Sequence, residues 1–368
     1  MKKRFFKNTE WEVLIYSIIL FAIGALALFS ATQSSEYEEF KKQMQWFAIS
    51  IPILIVVAVI DYNTITNFSP FFYFIIIGLL FGVLFTEEIN GATSWYNIGF
   101  FSFQPSEIAK VVIILFLAYL INKIQTNGRE EINKPWKLLM VFIAIGIPVA
   151  LILKQPDNGT AIAFLMALMF ILFSAGIDKK YIIVAVILAS IALPIIYKYY
   201  LPEYAINRIK VFLDPTIDPR GIGYNIIQSK LAIGAGQVLG MGMFKGNQTQ
   251  LGFLYPKTTD FIFSVIGEEF GFIATGGIVI LYVLLITKAI YIAKTAKDNV
   301  GSYISIGIAG VLFFHMTENI GMTIGLLPIT GVPLPFVSYG GSSLLTNFIF
   351  IGLLLNISSK RQKAIFIE

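Results

Sequence analysis

The sequence predicts an all-α integral membrane protein of about ten transmembrane helices, with a large external loop, partly re-entrant or amphipathic, between helices 7 and 8. Three observations carry that prediction. Of 368 residues, 57% are hydrophobic and 13% charged, with a mean hydropathy of +0.77, well above the roughly 45–50% apolar content of a soluble domain. Apolar stretches close to the length that crosses a hydrocarbon core, about 17 to 25 residues, recur from end to end. Lys and Arg gather on alternate connections between them.

The spans lie near 12–31, 44–60, 68–85, 107–121, 138–153, 160–176, 181–197, 261–287, 301–327 and 342–357. The first follows MKKRFFK, as a signal-peptide core does, but its apolar run is too long for one and reads as an uncleaved helix. The N-terminus is then inside. Counting from there, the internal segments hold Lys2, Lys3, Arg4, Lys7, Lys123, Arg129, Lys134, Lys137, Lys179, Lys180, Lys288, Lys294, Lys297, Lys360, Arg361 and Lys363, and the short external loops hold only Lys41, Lys42 and Lys154. This asymmetry places both termini in the cytoplasm. The formal charge of +5 thus follows from topology and makes no case for nucleic acid.

The external loop from about 86 to 106 alternates apolar and polar residues around Gly91 and Gly99. The longer loop, from about 198 to 260, carries glycines at 221, 223, 234, 236, 240, 242 and 246 within apolar sequence. Glycine-broken backbone at membrane depth survives only where protein or a wet cavity surrounds it, so this loop is expected to dip back and wall a groove. In LPITGVPLPFVSYGGSS (327–343), Pro328, Pro333, Pro335, Gly331, Gly340 and Gly341 forbid regular helix.

Without cysteine there is no disulfide, thiolate metal site or Cys nucleophile. The single histidine, His315, excludes His-cluster metal sites and reads as a hydrogen-bonded packing residue, although an ionisable group inside a span also draws functional suspicion. Inside-first topology puts Glu107, Asp157 and Asp260 at external helix mouths, with Lys110 one turn from Glu107 on the same face. Arg208, Lys210, Arg220 and Lys230 add positive charge in the long loop. Asp157 and Asp260 read equally as N-caps and Glu107 as a first-turn acid. Glu268 and Glu269 fall about two turns inside a span, where two adjacent acids need partners or water. The pattern suits an amphipathic anionic substrate, and by periodicity alone it describes an enzyme groove or a transporter vestibule.

NGATSWYNIGFFSFQPSEIAK (90–110), KQPDNGTA (154–161), FLDPTIDPRGIGYNIIQSKLAIGAGQVLGMG (212–242), TDFIFSVIGEEFG (259–271) and NIGMTIGLLPITGVPLPFVSYGGSS (319–343) occur in the order they have in the SEDS (shape, elongation, division, sporulation) family of integral-membrane peptidoglycan glycosyltransferases. The chain resembles that family over nearly its whole length, as one polytopic domain, 1–368, containing the loop 198–260. GNQTQLGFLYPKTTDFIF and GMTIGLLPITGVPLPF look more like its rod-shape branch than its division branch. Asn158 and Thr258 depart from the usual Leu and His.

The resemblance implies polymerisation of lipid II into β-1,4-linked glycan outside the bacterial cytoplasmic membrane, with inverting displacement of undecaprenyl pyrophosphate, for elongation and cell shape. It implies Asp260 as catalytic base. Asp157, Glu107, Lys110, Trp95, Gln155, Arg208 and Lys230 are expected to bind substrate or place an ion, and Pro335, Ser338, Gly340 and Gly341 to form a structural motif. Ser338 has no His or Lys arrangement to make it a nucleophile. A divalent cation, Mg²⁺ or Mn²⁺, is implied, with Asp157 and Asp260 as candidate ligands, together with a class B penicillin-binding protein as partner. The rivals are a lipid II flippase or other lipid-linked substrate transporter, a scaffold for a partner synthase, and a division polymerase.

Overall fold

The computed structural model describes residues 9–87, 93–98, 101–199 and 203–361. Gly91, Gly99, Lys2, Lys3, Arg4, Lys7 and Lys363 lie outside them. A chain this apolar must satisfy its backbone internally, and each expected span is helical. In order, these are α1 (Glu12–Ala31), α2 (Glu38–Val59), a short α3 (Tyr62–Asn67), α4 (Ser69–Gly82), α5 (Pro105–Ile124), α6 (Pro135–Leu153), α7 (Asn158–Ala175) and α8 (Lys179–Tyr199). The long loop contains α9 (Glu203–Leu213), α10 (Ile222–Ala235) and α11 (Asn247–Gln250), and α12 (Ile262–Thr295), α13 (Asn299–Thr323) and α14 (Gly341–Lys360) complete the chain. Among the described residues, seven helices (α1, α2, α6, α7, α12, α13 and α14) are long and apolar enough to cross a membrane.

Of their most apolar windows, 78% is buried in α14 and 72% in α13, against 22% in α2, so α13 and α14 form the centre of the bundle. α14 lies along α2, α13 packs between α7 and α12, and α12 runs beside α1. The alternating loop sequence forms a hairpin, β1 (Tyr96–Ile98) against β2 (Phe101–Phe103), antiparallel with Tyr96 opposite Phe103.

The return of the long loop into the bundle takes a definite form at Gly271. Its φ of 73° and ψ of −169° interrupt α12, which orphans backbone groups on both sides of the break. The loop supplies their partners. Met241 N donates to Glu268 O at 2.9 Å and Gly242 N to Glu269 O at 3.0 Å, while Phe272 N donates to Gln237 O at 2.9 Å and Ile273 N to Val238 O at 3.3 Å. Two backbones can approach this closely only without side chains between them. A Cβ on Gly236 would stand 1.8 Å from Gly267 O, and one on Gly240 2.2 Å from Glu269 O.

Several boundaries differ from expectation: α2 starts at Glu38 rather than 44, and α5 continues to Ile124 rather than 121. α12 continues to Thr295 rather than 287, and α13 stops at Thr323 rather than 327, because Gly325 takes a φ of 75° just before Pro328. From 327 to 340 the chain has no helix, as its prolines and glycines require.

Candidate active site

The helix-free segment cannot satisfy its own backbone, so side chains from surrounding elements do so. Arg208 of α9 donates to Ile329 O at 3.1 Å. From α13, Asn319 Nδ2 donates to Val332 O at 2.8 Å, and His315 Nδ1 lies 3.0 Å from Pro333 O. Tyr282 of α12 donates its hydroxyl to Pro335 O. Gln43 of α2 donates to Ser338 O and accepts from Gly340 N, each at 3.1 Å. The Trp46 ring fills the place of a Cβ on Gly341, 2.1 Å from where that atom would sit.

Asp260 stands where the segment meets the start of α12. Ser338 Oγ accepts from Leu334 N at 2.8 Å and donates to Thr259 O at 2.7 Å, Tyr339 N donates to Thr258 O at 2.9 Å, and Asn319 Nδ2 donates to Asp260 O at 3.0 Å. A Cβ on Gly331 would be 3.6 Å from Asp260 Oδ2. Burial pushes the Asp260 carboxyl up to about 6, against the lowering pull of a Thr259 hydrogen bond and the Arg208 charge. Asp260 does not cap α12: the N-cap is Phe261, without a side-chain hydrogen bond.

Asp157 does cap its helix. Oδ1 accepts from Thr160 N at 3.0 Å, and Oδ2 from Gln104 Nε2 at 3.2 Å and Ser106 Oγ at 3.4 Å. Gly159, two residues on, packs against Val332 and Thr330, so Asp157 and Asp260 approach the Thr330–Val332 strip from different elements. Glu107 and Lys110 pair at 2.9 Å and are both buried. Lys110 Nζ also lies 3.1 Å from His315 Nε2, which links the pair to α13.

Gln155 is fully buried, its side-chain Nε2 donating to Leu80 O at 3.0 Å, and its backbone carbonyl accepts from Ser94 Oγ at 3.2 Å. This ties the start of the hairpin loop to α4. Trp95 follows in that loop, half-buried. Lys230 is exposed and folds over Gly325, where a Cβ would meet its Nζ at 2.3 Å.

Glu268 and Glu269 find partners in the loop and in α1, although Glu269 Oε2 is buried without a hydrogen bond. Glu268 Oε1 accepts from Gln248 N at 2.7 Å, and its Oε2 from Thr249 N at 2.9 Å and Thr249 Oγ1 at 2.6 Å. Glu269 Oε1 accepts from Ser30 Oγ at 2.7 Å and Gln250 Nε2 at 2.9 Å. Both acids clamp the loop around α11.

Sequence reasoning missed Glu318 and Asn319. Glu318 is buried and accepts from Thr330 Oγ1 at 2.9 Å. An acid inside an apolar span was the signal available for it.

Among the described residues, no three His, Asp or Glu side chains converge as a metal-binding set. Mg²⁺, however, is commonly held by one or two carboxylates together with substrate phosphates, and the Asp157 carboxylate, with three hydrogen bonds on its roughly four acceptor positions, retains capacity for such an arrangement.

Residues 10–363 match the family of cell cycle proteins named for FtsW, RodA and SpoVE. The chain is 36% identical to the peptidoglycan glycosyltransferase MrdB of Escherichia coli K12 over 364 residues, 97% of each chain. It is 30% identical to the peptidoglycan glycosyltransferase RodA of Treponema pallidum, over 98% of this chain and all of that one. A solved structure of a peptidoglycan synthase complex, described as coordinating polymerization and crosslinking, superposes with a TM-score of 0.83 at 26% identity, covering 97% of this chain and 99% of that one. RodA of Thermus thermophilus shares the fold with a TM-score of 0.72, at 24% identity and the same coverage. The chain belongs to the FtsW–RodA–SpoVE family, the SEDS family that its motifs resemble.

Proposed function

We propose that this chain is a peptidoglycan glycosyltransferase that polymerises lipid II at the external face of the bacterial cytoplasmic membrane during elongation. The observation that carries the reading is Asp260, a carboxyl pushed up to about 6 beside the open backbone of Gly331. The names of full-length relatives support the reaction class. The Lys and Arg asymmetry supports ten crossings with both termini inside and the Asp260 end outside.

Asp260 accepts the proton of the acceptor's C4 hydroxyl as that oxygen bonds to C1 of the donor. The C1–O bond to undecaprenyl pyrophosphate breaks with its electron pair, and configuration inverts. A base whose pKa lies just below the working pH is ionised yet still basic enough for the transfer. Arg208 and Lys230 supply cationic charge on the same side for the departing diphosphate. Asp157 and Asp260 are the residues that would hold a divalent cation, which would supply further positive charge for the departing diphosphate. A class B penicillin-binding protein cross-links the product as partner, in keeping with the synthase complex whose fold this chain shares.

Purified chain, lipid II and Mg²⁺ in detergent are expected to give a ladder of glycan products on a gel, and excess EDTA to abolish it. No ladder under conditions where a known polymerase makes one contradicts the reading. Movement of intact lipid II across vesicles without polymer favours the transporter instead.

A further inference from the structure

His315 and Asn319 stand one turn apart on α13, both buried, and each offers an N–H to the helix-free segment. His315 faces Pro333 O at 3.0 Å and Asn319 faces Val332 O at 2.8 Å, so one helix face fixes two consecutive carbonyls. The other Asn319 N–H reaches Asp260 O at 3.0 Å. A carbonyl only accepts, so Nδ1 carries the ring proton of His315; an ammonium only donates, so Nε2, 3.1 Å from Lys110 Nζ, presents its lone pair. Lys110 thereby selects the tautomer that holds Pro333, and Glu107 balances its charge. The same logic orients Asn319: two carbonyls face its nitrogen, and Oδ1 is left buried without a hydrogen bond.

We propose that His315 and Asn319 are positioning residues for glycosyl transfer, setting the distance between Asp260 and the Thr330–Pro333 strip, and that Glu107 and Lys110 act on the reaction through His315. This rests on the polymerase reading above. The side chains touch backbone, and their effect passes through geometry: a misplacement of about 1 Å at a reacting centre can cost about 10²-fold in rate.

His315→Gln keeps an acceptor near the Nε2 position and loses the donor to Pro333. His315→Asn keeps a donor near the Nδ1 position and loses the acceptor for Lys110. Asn319→Asp keeps the shape and removes both donors. With purified full-length chain and lipid II, His315→Gln and Asn319→Asp are expected to lower kcat by about 10²-fold with KM nearly unchanged, and His315→Asn to recover most of that loss. A structural defect alone lowers the amount of folded protein and not the kcat of what remains. Wild-type kcat in both His315→Gln and Asn319→Asp, losses confined to KM, or equal losses in the two His315 variants overturn the positioning role. If either principal variant is recovered unfolded, Asn319→Ser, which keeps one donor, takes its place, with an intermediate kcat expected and a wild-type kcat overturning the role. Wild-type protein that makes no polymer at all indicts the polymerase reading rather than this one.

Discussion

Glu268 has both carboxylate oxygens engaged by Gln248 N, Thr249 N and Thr249 Oγ1 at 2.6 to 2.9 Å, whereas Asp260, at the same end of the bundle, is not a cap and is held by its backbone. Its carbonyl is fixed by Asn319 and its neighbours by Ser338 and Tyr339, which leaves the side chain to face Gly331. The first acid is consumed by structure, and the second keeps the fewer side-chain partners that the proposed base requires. A buried carboxylate with both oxygens engaged by fixed donors cannot easily take a proton from substrate. A partly buried one with few donors has its proton affinity raised without being tied down.

That difference can be attacked directly. Asp260→Asn preserves size and backbone bonds but not basicity, so turnover is expected to fall by about 10² to 10⁴-fold; a gel-based lipid II assay reads this. Breaking the Glu107–Lys110 pair comes next. Either residue changed to Ala leaves the other charge buried, typically about 3–5 kcal/mol of destabilisation, so the double variant is expected to be little worse than either single one. Strictly additive losses would mean that the two act separately.

Glu268→Ala strands the Gln248 and Thr249 amides, each worth about 1–3 kcal/mol when left unpaired. Its melting midpoint should drop, while turnover per folded molecule stays near wild type. The smallest effect is on the pH profile. Polymerisation should decline as pH falls through about 6, where Asp260 becomes protonated. For stability the sign is opposite to that of an ion-paired acid. The folded state binds this proton more tightly than the unfolded chain, so ionisation costs stability as pH rises from the ordinary carboxyl range through about 6. Asp260→Asn removes that cost at neutral pH.

The helices were legible because bilayer-length apolar runs admit little else, and the break at 327–340 because proline and glycine act locally, although Gly341, expected in the break, opens α14. Asp157 and Asp260 were legible as acids at helix mouths, and the structure brings both to the Thr330–Val332 strip. The break in α12 was not: a glycine inside an apolar span is usually tolerated in helix, and the Gln237–Gly242 backbone that completes it comes from a distant part of the loop. His315 could be read as a hydrogen-bonded packing residue, but Lys110 lies 205 residues away in sequence and nothing local names it as the partner. Asn319 looked like any polar residue near a helix end until the fold set Asp260 and Val332 side by side.

Turnover and melting midpoint, measured on the same preparations of Asp260→Asn and Glu268→Ala at neutral pH, test the division of labour between these acids most directly. The account predicts a crossed result: Asp260→Asn loses polymerisation and melts at or above the wild-type temperature, while Glu268→Ala melts lower and retains polymerisation per folded molecule. Near-wild-type polymerisation by Asp260→Asn, or loss of turnover in Glu268→Ala with no change in melting, would contradict it.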